Sequence, residues 1–115
     1  MEDAGPATLL RIYVGDRDQW QHKSLATALV EAALKHGLAG ATVLRGVEGF
    51  GANRHLHTLH LVELVSDLPM VVEIVDDEEK IQAFLPVVEQ MITNGLVTLE
   101  RVTVHLYRGG VKPDR

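Results

Sequence analysis

Two segments with helical apolar spacing each stand between β-rich runs, and this alternation leaves the chain few folds to choose from. Residues 8–14 (TLLRIYV) are β-rich and end at Gly15-Asp16, which predicts a strand. From about Ser24, apolar residues recur at Leu25, Ala28, Leu29, Ala32 and Ala33, the spacing of one helix face. Gly37, after Lys35 and His36, is a helix stop. Residues 41–48 predict a second strand, 49–57 a loop and 58–65 (TLHLVELV) an extended run. Ser66-Asp67-Leu68-Pro69 reads as a turn, and 70–75 (MVVEIV) as another strand. Asp76 opens the second helix, where Asp76 and Glu79 match a capping box and the acidic first turn suits the helix dipole. Ile81, Phe84, Leu85, Val88, Met91 and Ile92 give that helix its apolar face. Pro86 inside it removes a hydrogen bond, so a kink or two shorter helices are expected. Asn94-Gly95 ends the helix, and residues 96–107 form the last strand.

The resulting order is βαββαβ with an extended insert after the second strand. This is an α+β, ferredoxin-like sandwich: two helices on one face of an antiparallel sheet, the other face open to solvent or a partner. A chain of 115 residues predicts a single domain over 1–115, with 1–7 and 108–115 as flexible ends. Strand alternation assigns Leu10, Ile12, Val14, Val72, Ile74, Val102, Val104 and Leu106 to the helix side. The opposite side then carries Leu9, Arg11, Tyr13, Val71, Glu73, Val75, Thr103, His105 and Tyr107. Such a face is either an ordinary half-wet sheet surface or a subunit interface whose charged groups pair; so many valines and tyrosines together favour the interface, and cyclic symmetry would bring three or more copies of the face together.

Several function classes drop out. A net charge of -5 argues against a general nucleic-acid or acidic-membrane binder, which needs a basic face. The absence of cysteine excludes disulfides and thiolate metal sites. The N-terminus (MEDAGPAT) has no apolar signal core, and no apolar run is long enough to span a bilayer. A soluble, cytoplasmic protein is the expectation.

Chemistry concentrates in residues 37–51, GLAGATVLRGVEGFG. A strand flanked by glycines runs into a Gly-Phe-Gly turn, and glycine lets a ligand approach the main chain. The Gly49–Gly51 pair is not a dinucleotide fingerprint, because Arg54 stands where the third glycine belongs and no helix follows. Glycine amides beside Arg45 and Arg54 can hold an anion; an ordinary turn is the plainer reading. His55, His57 and His60, with His105 or Asp16 nearby, have the donor types for zinc, copper or nickel, against the alternative of a solvent-exposed loop. Asp16 and Asp18 read as loop carboxylates. Trp20 reads as a lid over the helix–sheet edge, or as a base-stacking ring. Ser24 and Ser66 are the only serines and neither sits in a nucleophile elbow, so an enzyme is not expected.

The stretch GLAGATVLRGVEGFGANRHLHT resembles the PII signalling superfamily, in which a strand ends in Gly-Phe-Gly and opens into the long T-loop. LLRIYVG, GLAGATVLRGVEGFG, DLPMVVEIVDDEEKI and GLVTLERV resemble more closely a PII-like family catalogued as a domain of unknown function, over most of residues 9–107. The resemblance implies a homotrimer that binds an adenine nucleotide in a cleft between subunits. It also implies regulation of a partner protein, such as a membrane transporter, through a T-loop-like segment. It places Gly49, Phe50 and Gly51 at the loop base, Asn53 where a loop-base glutamine meets a metal or effector, Gly40 and Thr42 on the strand lining the cleft, and Arg108 as a basic residue near the end of the last strand. The phosphate-binding TGxxGDGK loop is replaced by TNGLVTLE at 93–100, and the T-loop is short and lacks a tyrosine. These departures leave a nucleotide with fewer phosphates, another anion, or no nucleotide as the ligand. Two rival readings stand beside this one: a divalent transition-metal module on His55, His57 and His60, and a small enzyme using His105, Tyr107 or Glu73 at a subunit interface.

Overall fold

The structure, a computed structural model, describes residues 1–50, 57–58 and 68–109. In chain order the elements are β1 (Gly5–Gly15), β2 (Gln19–Trp20), β3 (Lys23–Ser24), α1 (Leu25–Lys35), β4 (Thr42–Arg45), β5 (Glu48–Gly49), β6 (His57–Thr58), β7 (Pro69–Asp76), α2 (Glu78–Met91) and β8 (Leu96–Val104). The main sheet runs β4-β7-β1-β8, antiparallel at every junction. This is the ferredoxin-like arrangement that the element order predicts. Leu10, Ile12 and Val14 of β1 and Val72 and Ile74 of β7 are buried against Leu25, Leu29 and Ala33 of α1 and Ile81, Phe84 and Val88 of α2. Both helices therefore lie on one face of the sheet.

The first helix stops as expected. Gly37 has φ +78°, a left-handed conformation open to glycine. Its N–H donates to the Leu34 carbonyl at 3.1 Å, and the Leu38 N–H donates to the Ala33 carbonyl at 3.0 Å. These are the two bonds of a Schellman motif, and buried Leu38 and Ala33 supply its apolar closure. Before the helix, the expected loop at 15–22 contains a small hairpin. β2 and β3 pair across Gln21 (φ +50°) and His22 (φ +72°), two consecutive left-handed residues as in a type I′ turn. Trp20 packs, partly buried, against the core.

Three expectations change. Asp76 is the last residue of β7, not the start of a helix. It is 1% exposed, and its Oδ2 accepts from the Ala39 N–H at 2.9 Å while Oδ1 accepts from the Asp77 N–H at 2.7 Å. The capping box with Glu79 is absent; Asp77 is the N-cap and makes no side-chain cap bond. Of the two outcomes expected at Pro86, two shorter helices do not occur: α2 runs unbroken from Glu78 to Met91. Proline frees the carbonyl four residues earlier, that of Gln82, and both residues lie on the exposed side of the helix.

The third correction concerns β8. Its register pairs Leu10 with Leu99 and Ile12 with Val97, but Ala7 with Val102 and Gly5 with Val104. Directly opposed residues share a face. Val102 and Val104 therefore lie with Arg11 and Tyr13 on the open side, and Thr103, opposite Pro6, lies on the helix side. Leu106 and His105 fall beyond the strand and are exposed. The first strand also starts earlier than expected, at Gly5. Of the expected loop and extended run, 51–56 and 59–67 lie outside the described residues. Among the described residues no helix is long and apolar enough to cross a membrane.

Candidate functional site

The sheet end where β1 and β4 finish and β7 begins gathers the chemistry. Gly15 pairs with Pro69 and Arg45 with Met70. Pro69 opens β7, a position where its missing N–H breaks no ladder. The Gly46 N–H donates to the Pro69 carbonyl at 2.7 Å. A Cβ added to Gly46 would lie 2.7 Å from Pro69 Cγ and 3.3 Å from its carbonyl oxygen; one added to Gly49 would lie 3.2 Å from Cγ. The chain thus folds tightly over the proline ring, and the absence of side chains at both glycines permits it. Glu48 and Gly49 then pair with Thr58 and His57.

Arg45 ends β4 at this point. Its Nη1 donates to Asp16 Oδ2 at 2.7 Å, with the two side chains 54% and 11% exposed respectively. Asp16 is held by its backbone N–H, which donates to the Leu68 carbonyl at 2.9 Å. Asp18 Oδ2 accepts from the Gly15 N–H at 2.9 Å. Phe50, just past β5, is 60% exposed. In the sequence Asp16 is only a loop carboxylate or a metal neighbour; its pairing with Arg45, 29 residues away, is a tertiary fact.

The remaining candidates are spread out. Gly40 and Thr42 lie at the far end of β4, Gly40 just before the strand and Thr42 opposite Glu73, and both are exposed. Arg108 is exposed beyond the end of β8 that pairs with Gly5. At about 3.3 Å per strand residue, the full length of β1 separates it from Arg45 within one protomer. Gly51, Asn53, Arg54, His55 and His60 lie outside the described residues, and His57 is placed only as the β6 partner of Gly49. Among the described residues no group of His, Asp or Glu could hold a metal ion. The candidates for a small enzyme do not converge in one protomer: His105 and Tyr107 follow β8, the Tyr107 N–H donating to the Asp3 carbonyl at 2.8 Å, while Glu73 sits mid-sheet opposite Arg11.

The open sheet face carries its own network. Arg11 Nε donates to Glu73 Oε2 at 2.8 Å and Nη1 to Glu100 Oε1 at 3.3 Å. The hydrogen bond to the Glu73 carboxylate holds the Arg11 guanidinium above its ordinary pKa. Beside this charged row the register aligns Leu44, Val71, Tyr13 and Leu96. Leu44 and Leu96 are 48% and 55% exposed, part of an apolar row with polar neighbours on the face away from the helices.

Comparison with known proteins places this geometry in context. A UPF0166 protein of Aquifex aeolicus is 43% identical over 96 residues, covering 84% of this chain and 90% of its own. The UPF0166 protein of Methanocaldococcus jannaschii is 31% identical over 104 residues, covering 90% and 94%. Among solved structures, a candidate PII-like signalling protein from Thermus thermophilus superposes with a TM-score of 0.61 at 19% identity, covering 90% of this chain and 93% of the other. CPII from Thiomonas intermedia, a nitrogen regulatory PII-like protein bound to ADP, AMP and bicarbonate, gives a TM-score of 0.57 at 23% identity, covering 88% and 90%. At these identities the likeness is one of fold. The family model "Uncharacterized ACR, COG1993" matches residues 7–104, and with the relatives above it establishes that the chain belongs to the DUF190 family.

Proposed function

We propose that this chain is a PII-like regulatory protein that binds a small anionic ligand, foremost an adenine nucleotide, at the Arg45 end of the sheet. The observation that carries the reading is the junction of Arg45, Asp16 and the Gly46–Gly49 turn folded over Pro69. It combines a largely exposed guanidinium with close-lying backbone at the point where the chain leaves the sheet. Arginine presents five N–H donors in a planar fork suited to phosphate. The nucleotides bound by the Thiomonas protein support the choice of ligand class. The missing lysine-bearing phosphate loop favours a mono- or diphosphate over a triphosphate.

The chain acts as a homotrimer, closed through the open sheet face. The row of Leu44, Val71, Tyr13 and Leu96 supplies apolar contact, and the Arg11–Glu73–Glu100 network sets the docking angle. Ligand would bind in the cleft between subunits, where Gly40, Thr42 and Arg108 of one copy would meet the Arg45 end of another. The segment after Gly49 reports occupancy to a partner protein, a membrane transporter being the partner class that the family resemblance suggests. Such a switch needs only a ligand that favours one arrangement of that segment over another. The activity is binding without turnover.

Calorimetric titration of AMP, ADP and ATP, with light scattering to size the oligomer, tests the reading. The expected result is a trimer that binds AMP or ADP more tightly than ATP, with affinity lost in Arg45→Ala. A monomer that binds none of them refutes it.

A further inference from the structure

The Asp16–Arg45 pair is only half used. Asp16 Oδ2 accepts from Arg45, but Oδ1 of the same carboxylate is buried and has no hydrogen-bond partner among the described residues. Native structures pair nearly all such atoms, and each exception calls for an explanation. Among the described residues, three neighbouring backbone donors are committed elsewhere: the Asp16 N–H to the Leu68 carbonyl, the Gly46 N–H to the Pro69 carbonyl and the Gly15 N–H to Asp18. Arg45 directs one N–H to Oδ2, and its more-than-half-exposed side chain brings further donors to the surface beside the carboxylate.

We infer that Asp16 and Arg45 jointly read a ligand that carries a hydrogen-bond donor close to an anionic group. Arg45 holds the anion, and Oδ1 of Asp16 accepts from a hydroxyl or amine. The inference rests on the anion-site reading above and adds a selection rule to it. An ionised carboxylate only accepts, so Oδ1 repels a second anionic atom and rewards a donor. A bare polyanion satisfies Arg45 alone. A nucleotide, with ribose hydroxyls and a base amine, satisfies both.

The test titrates ADP, its 2′-deoxy and 3′-deoxy forms, inosine diphosphate and pyrophosphate into the wild-type protein and Asp16→Asn. The asparagine keeps the side-chain shape but puts a donating nitrogen in place of one accepting oxygen. Wild-type protein should bind ADP about tenfold or more tightly than whichever analogue lacks the engaged donor, because a buried acceptor then stays unpaired. The deoxy forms and the inosine form distinguish a ribose hydroxyl from the base amine. Asp16→Asn should lose that discrimination, read as the ratio of its ADP affinity to its affinity for each analogue, whatever the change in its affinity for pyrophosphate. Two results overturn the inference while leaving the nucleotide reading intact: wild-type protein that binds every diphosphate nucleotide equally, or Asp16→Asn that keeps the full discrimination. Wild-type protein that binds no nucleotide overturns both. The comparison of analogues on the wild-type chain does not depend on the variant, whose fold is checked by circular dichroism and oligomer size.

Discussion

Replacing Asp76 with alanine removes the single acceptor of two backbone N–H groups, Ala39 at 2.9 Å and Asp77 at 2.7 Å. One belongs to the connection leading into β4, the other to the N-cap of α2, so the side chain ties both to the end of β7. Hydrogen bonds to a charged acceptor contribute about 1.5–3 kcal/mol each, for a gross loss of roughly 3–6 kcal/mol. Asp76 is 1% exposed, and removing a desolvated carboxylate returns part of that loss. The expected net destabilisation is about 2–4 kcal/mol, or roughly 8–16 °C in Tm at ~4 °C per kcal/mol for a domain of this size. Asp76→Asn keeps one acceptor and should lose about half as much. Urea unfolding at fixed protein concentration measures the change, and amide hydrogen exchange at Ala39 locates it. The reasoning is refuted if Asp76→Ala loses less than about 1 kcal/mol, or if Ala39 exchange is unchanged.

The other predictions concern the site and the open face. Gly46→Val places a branched side chain where even a Cβ would lie 2.7 Å from Pro69 Cγ; it should destabilise by about 1–3 kcal/mol and weaken nucleotide binding, read by thermal unfolding and calorimetry. Leu44→Asp with Leu96→Asp puts carboxylates into the apolar row of the open face. Light scattering should show the oligomer dissociating to monomers whose far-ultraviolet dichroism is unchanged; an intact oligomer would move the interface elsewhere. Gln21→Asn with His22→Gly supplies the residues that two left-handed positions prefer; it should raise stability by about 0.5–1 kcal/mol without altering ligand affinity.

Much of the fold is legible in the chain because its signals are local. The apolar spacing from Leu25 to Ala33 and the stop at Gly37 specify α1 within a few turns of backbone, and the structure reproduces both. The alternation of Met70, Val72 and Ile74 with Val71, Glu73 and Val75 specifies the two faces of β7. Element order then implies the sheet topology, because few arrangements bury two helix faces and one sheet face together. Arg45 and the glycines of residues 46–49 are visible as candidates for the same reason: their residue types state their chemistry.

Other features depend on contacts between distant segments. β8 carries apolar residues in both alternation sets, Val97 and Leu99 in one, Val102 and Val104 in the other, so its own periodicity cannot choose a face. Pairing with β1 decides, and it turns Val102 and Val104 away from the helices. Asp76 has the residue type of a helix cap, yet the Ala39 N–H 37 residues away makes it a strand-end acceptor. Asp16 is one carboxylate among several until β4 brings Arg45 against it and burial leaves one oxygen without a donor among the described residues. Sequence alone therefore determined the elements, their order and the stock of chemical groups, because these follow from spacing and residue type. Tertiary structure decided which face, which partner and which oxygen, because register and burial are set by pairing across the sheet.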